Sequence, residues 1–407
     1  MPENPPFPML FSFVQLKNLL CQIFGVLLLV TIASGESEDA PQGSNSSPAL
    51  QSTSGPWGNL QYYEVVIRPP ASSLWPGLFE ERSLWSFPNL ERVQVKDLFD
   101  ELGFSLELKT GIHEHGKWST QGEHTELEIT DSIIAIMKPS ERASLAEWWL
   151  LNNYDHYQRV ISNFEDKNFS SISKELSPEM MDHLRSVCFL RGNVLSTFDR
   201  PYLLRKLKDE KEKEKLIRTL FTTHALMLRL ELNPQSDLEP IISYWEAGGR
   251  NPRARSVIEG VQSTDGVDQL DILHLLPPVP RKYLNSFATL QDSGPDSAPD
   301  CFWTAIQFFR PNTSHRSFDP LPVEHFIIGD FFEVPAPTQF GDLVCLFDNE
   351  TREFVHSYIY IADNLVFSKN GGSFVRPWVI STVDRMMSIY ELHDEFHRMT
   401  FRTKVDS

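Results

Sequence analysis

Short runs of apolar and alternating residues define the patterned part of the chain. Tyr62-Tyr63-Glu64-Val65-Val66-Ile67 and Glu126-Leu127-Glu128-Ile129 are rich in strand formers or alternate in polarity, and Pro69-Pro70 closes the first. Ser132-Ile133-Ile134-Ala135-Ile136-Met137 is a further apolar run. Residues 57–138 therefore read as a small α+β domain. After Pro139 the period changes. Ser140 followed by Arg142-Ala143-Ser144-Leu145-Ala146-Glu147-Trp148-Trp149 reads as a capped helix start. Residues 202–232 carry Leu203, Leu204 and Leu207, then a mixed run of Lys, Asp and Glu from 208 to 215, then Leu216, Ile217, Leu220 and Phe221. Mixed charge of this kind is a solvated helix face. Residues 139–280 read as mainly helical, broken at Gly248-Gly249-Arg250-Asn251-Pro252 and ended by Pro277-Pro278-Val279-Pro280.

Aromatic strands dominate residues 281–407. Strands are predicted over 341–347, 354–361 and 365–368, with Asp363-Asn364 as a tight turn that pairs the last two as an antiparallel hairpin. Residues 387–392 are expected to add a fourth. Ahead of them, Asp300 caps a predicted helix that begins Cys301-Phe302-Trp303-Thr304-Ala305-Ile306.

Composition then limits the function. The 37 basic residues against 55 acidic ones give a net charge of -18. That balance repels phosphate backbones, so nucleic acid is not expected as a partner. The apolar stretch at 23–32, followed by Ala33-Ser34-Gly35, reads as a signal peptide over residues 1–35. The expected location is secreted or periplasmic in a bacterial cell envelope, with no stable membrane insertion after cleavage. If the segment is not cleaved, it is a membrane anchor. Residues 36–56, rich in Ser, Gly, Pro and Gln, read as a disordered linker. Of the four cysteines, Cys21, Cys188, Cys301 and Cys345, cleavage would leave three, and an odd thiol in an exported chain is a candidate nucleophile.

Position selects among the thiols. Cys301 falls in the first turn of its helix, where free backbone N–H groups and the helix dipole favour a thiolate. His356 sits mid-strand among apolar residues and is placed to take the thiol proton if the sheet packs on the helix. Asn370, beyond the hairpin, is the third candidate, to orient the imidazole. Ser368 and Lys369 compete with it for this role, and strand alternation puts Ser368 on the face of Val366 and Asn370, with Lys369 opposite. Cys345, between Val344 and Leu346, reads as an inert core residue, and Cys188 as a helix core residue. The candidates for metal binding are His113-Glu114-His115 with His124, and His393 with His397; both read more simply as exposed surface. Trp75, Trp85, Trp118, Trp148 and Trp149 read as core rather than as a ligand surface.

Asp300-Cys301 at a helix start, Gly341-Asp342-Leu343-Val344, and then Val355-His356-Ser357-Tyr358-Ile359-Tyr360 occur in an order that resembles the NlpC-like family of papain-like cysteine peptidases. These enzymes cut peptide bonds in bacterial cell walls. The resemblance covers about the last 120 residues. It implies a C-terminal papain-like domain, a Cys-bearing helix packed on an antiparallel sheet, preceded by the helical region and the small α+β domain. It implies thiol-dependent amide hydrolysis by Cys301, His356 and Asn370 on a peptide or cell-wall peptide substrate, with no metal or cofactor. The chain departs from the family at Phe302-Trp303, where Ser-Gly is common. Two other outcomes fit the same residues: an inactive peptidase-like domain in a binding protein, and transfer of the thioester to an amine.

Overall fold

A computed structural model describes residues 50–404, apart from 123, 154–155, 157–158, 165–167, 193, 234, 236, 290–298, 311–328, 350–351, 353 and 391–395. The expected signal peptide, and with it Cys21, lies outside the described residues. Within the expected linker, Gln51–Gly55 form β1, which pairs antiparallel with β2 (Gly58–Ile67). This corrects the linker reading at its end. A Ser/Thr-rich segment that buries no apolar residue still forms an exposed edge strand, because its order comes from backbone hydrogen bonds to β2.

The next elements build one core. Strands β3 (Ser83–Pro88), β4 (Lys117–Gln121) and β5 (His124–Ile129) form a sheet in the order β3-β5-β4. Helices α1 (Arg92–Glu101), α2 (Leu106–His115), α3 (Asp131–Ile136) and α4 (Pro139–Asn152) accompany it. A second small sheet, in the order β6-β8-β7, combines β6 (Ser162–Phe164), β7 (Phe189–Arg191) and β8 (Val194–Thr197). It is interleaved with α5 (Pro178–Val187), α6 (Arg200–Arg205) and α7 (Glu210–Leu220). Their apolar residues, from Leu78 to Phe221, share a core in which Trp85 and Trp149 meet edge to face at 6.2 Å. Inside it, Arg142 and Asp199 form a buried ion pair at 2.8 Å. The expected boundary at 138/139 is therefore absent: α4 packs on the sheet that precedes it. The apolar run that starts at Ser132 is helical as far as Ile136, in α3, with Thr130 at the N-cap position.

The rest of the chain forms a second assembly. β2 pairs with β9 (Thr223–Glu231) from Asn59 opposite Glu231 to Ile67 opposite Thr223, and β10 (Gln269–Asp271) completes the order β1-β2-β9-β10. Residues 223–231, expected as helix, are extended because Ala225, Leu226, Leu228 and Leu230 meet β2 and its core. Helices α8 (Leu238–Glu246), α9 (Arg253–Gln262), α10 (Pro278–Tyr283) and α11 (Cys301–Ile306) lead to the C-terminal sheet. That sheet has the order β11-β16-β12-β13-β14-β15 and is antiparallel throughout. Its strands are β11 (Phe331–Val334), β12 (Leu343–Asp348), β13 (Phe354–Ala362), β14 (Leu365–Lys369), β15 (Trp378–Thr382) and β16 (Phe396–Thr403). The predicted hairpin is present, turning at Asp363 (φ 52°). Of the strand expected at 387–392, residues 387–390 are not extended and 391–392 lie outside the described residues: α12 (Val383–Ser388) begins under a Thr382 cap, and β15 takes the neighbouring place in the sheet. One core joins Leu60, Leu230, Trp245 and Ile258 to Trp303, Leu343, Ile359 and Phe401, so the expected boundary at 280/281 also falls inside a core. The protein is a mixed α+β fold with antiparallel sheets.

Candidate functional site

Gly341 and Asp342 anchor the start of β12. Gly341 has φ +89°, and a Cβ there would lie 2.2 Å from the Phe309 ring, so only glycine fits. Asp342 is fully buried; it accepts hydrogen bonds from the Thr338 and Gln339 amides and from Arg402 at 2.7 and 2.8 Å. The Gly-Asp pair of the motif is thus a structural corner.

The predicted cap of α11 forms: the Asp300 carboxylate accepts from the Trp303 amide at 2.8 Å. The helix runs only from Cys301 to Ile306, too short for a strong dipole. Phe302 meets Phe354 edge to face at 5.5 Å, while Trp303 packs with Tyr283 and Trp378 at 5.9 and 6.3 Å. The two bulky residues that depart from the family pattern pin the helix to the sheet. Trp378 Nε1 donates to Thr304 Oγ1 at 2.8 Å, so the Cys301–Thr304 side of α11 faces the sheet.

The two faces of the sheet hold different residues. Leu343, Cys345, Ile359, Leu365, Phe367 and Trp378 lie in the large core with Trp303; Val344, Leu346, Tyr358 and Val366 lie in a smaller core with Met386. In the β12–β13 register Cys345 is opposite Ser357 and Leu346 opposite His356. By alternation, Ser357 and Lys369 face α11 and His356 faces away. His356 stacks on Tyr390 at 4.5 Å, fully buried, and neither ring nitrogen has a hydrogen-bond partner. Burial alone lowers its pKa to about 3. The expected Cys301–His356 pair is therefore not formed, because the sheet separates them. Asn370 follows β14, half-buried; its Oδ1 lies 3.5 Å from the Ser368 hydroxyl, and neither side chain reaches His356.

Cys301 itself is buried. Desolvation, and then the Asp300 charge, push its thiol up to about 12, against the Ser357 amide and hydroxyl and the Phe302 amide, which favour the anion. The Ser357 hydroxyl has no well-directed hydrogen bond of its own. Cys345 is fully buried on the same face, its thiol pushed up by burial and by Cys301, and Cys188 ends α5 with its thiol pushed up to about 12 by burial. Lys369, a competitor for the third position in the sequence, has a burial that sequence reasoning missed. It is fully buried, donates from Nζ to the Gly371 and Ser373 carbonyls at 2.8 and 2.7 Å, and lies 5.6 Å from the Trp378 ring centroid. Burial lowers its pKa to about 7 although Asp300 and Cys301 oppose the shift; Arg376 adds to it. Its strand parity was the available signal.

The other candidates are dispersed. His113 and His115 end α2 and His124 begins β5, all exposed. His397 is in β16, where helical i, i+4 spacing does not apply, and His393 lies outside the described residues. No group of three His, Cys, Asp or Glu side chains suited to a metal occurs among the described residues. Among the described residues, no helix is long and apolar enough to cross a membrane. Comparison with protein-family models, curated proteins and solved structures finds no match to this chain.

Proposed function

We propose that the protein is a thiol-dependent amide or peptide hydrolase acting outside the cytoplasm, with Cys301 as nucleophile in a C-terminal domain of papain-like kind. One observation carries the reading: α11 holds a capped thiol against the sheet face that bears Ser357 and the buried Lys369. In this reading Cys301 attacks an amide carbonyl, the amine leaves, and water resolves the thioester. The Cys301 amide is a candidate donor to the oxyanion. Cell-wall peptides follow as substrates from the resemblance to NlpC-like enzymes, and transfer to an amine would use the same thioester.

A second reading, a non-catalytic envelope binding protein, is favoured by the position of His356 on the far face and by the high affinity of the Cys301 thiol for its proton. The two separate on cell-wall stem peptides followed by mass spectrometry. Hydrolysis that is lost in Cys301→Ala and kept in Cys345→Ala supports the enzyme. Absence of cleavage by the wild-type chain, or cleavage retained by Cys301→Ala, leaves the binding protein.

A further inference from the structure

We propose that Lys369, rather than a histidine, is the proton acceptor for the Cys301 thiol. The inference rests on Cys301 being the nucleophile. Its geometry is independent of that reading. Lys369 stands opposite Trp378 in the β14–β15 register, and Trp378 is bonded to Thr304, one helical turn from Cys301. Ser357, on the same face by alternation, lies beside the thiol. The lysine amine is thus brought under the first turn of α11, while the imidazole is behind the sheet.

The hydrogen-bond inventory fits the role. A neutral amine has two N–H bonds and one lone pair, and Nζ has two carbonyl acceptors, Gly371 and Ser373. With both N–H bonds used, the lone pair is left for a proton. The charged and titratable groups that act on Lys369 are Asp300 and Cys301 from the helix side and Arg376 from the segment after β14; with burial they place its titration at about 7.

The step balances without a metal. The S–H bond of Cys301 breaks, the proton passes to the Nζ lone pair, and the sulfur pair forms a C–S bond to the amide carbonyl. When the C–N bond breaks, the ammonium returns that proton to the leaving amine. Water then adds to the thioester, giving a carboxylic acid and restoring the thiol.

The test is alkylation of the full chain by iodoacetamide across pH 5–10, read for each cysteine by mass spectrometry. In the wild type the rate of Cys301 labelling is expected to rise as Lys369 loses its proton, near pH 7. In Lys369→Met, labelling at neutral pH should fall about a hundredfold and the midpoint should move upward. His356→Leu should change neither. A folded Lys369→Met chain, recognised by Cys345 remaining unlabelled, with wild-type rate and midpoint would overturn the assignment. If that variant does not fold, the wild-type chain carrying 13Cε-lysine decides by NMR. One lysine signal titrating near 7 and shifted in Cys301→Ser supports the pair; a Lys369 signal titrating near 10 and indifferent to Cys301→Ser refutes it. Wild-type Cys301 that stays unlabelled while Lys369 titrates near 7 refutes the nucleophile reading itself.

Discussion

His356 and Gly341 illustrate how a motif residue can be present for reasons other than chemistry. The imidazole is neutral in the fold and titrates at about 3, against about 6.5 in an unfolded chain. Between these values the unfolded state binds the extra proton, so stability falls as pH drops below about 6.5, by up to about 1.4 kcal/mol per pH unit. Above that range the group contributes no pH dependence. Urea titrations at pH 7 and pH 5 should show this loss, and His356→Leu should remove part of it. A variant with unchanged acid sensitivity would show that His356 is not the group responsible. His156, held at about 4 by burial, contributes in the same direction and accounts for a remainder. Gly341→Ala meets both a positive φ and the Phe309 ring, and is expected to destabilise by about 2–4 kcal/mol. A denaturation midpoint equal to wild type would contradict this.

Among elements, α11 and β12 carry the site. The start of β12 depends on Asp342, which is buried and paired with the partly exposed Arg402. Asp342→Ala leaves the guanidinium and two backbone amides without their acceptor, an expected loss of about 2–4 kcal/mol, the lower end because Arg402 reaches solvent. Asp342→Asn keeps the shape and part of the bonding, and should lose less. Equal losses in chemical denaturation would mean that charge, rather than the bonds to the turn, sets the cost. At this scale much was legible. Local pattern located β13, β14, their turn and the Asp300 cap, because alternation, turn residues and caps act within a few positions. It failed at 387–390, where a short apolar run is compatible with helix or strand and neighbours decide.

In the whole molecule, the 281–407 segment is not self-contained. β2, β9, α8 and α9 contribute Leu60, Leu228, Trp245 and Ile258 to the same core as Leu343 and Phe367. Tyr244 from α8 also donates to the Ile361 carbonyl at 2.6 Å. Expressed alone, residues 281–407 are expected to lack a cooperative thermal transition and near-ultraviolet dichroism. A sharp transition in that fragment would restore the boundary at 280/281. The β2–β9 pairing closes a loop of more than 150 residues, a contact that no local pattern encodes.

The sequence by itself determined the acidic balance, the cap on the Cys301 helix, the buried character of Cys345 and three of the six strands of the C-terminal sheet, since each depends on residue type and short-range period. Alternation separated Ser368 from Lys369 along β14, and the β13–β14 register puts His356 with Ser368 in one set and Ser357 with Lys369 in the other. Only the tertiary structure decided which set meets α11. Both sets are buried along most of β13, so polarity could not distinguish the faces; the docking of Trp303, Thr304 and Trp378 did.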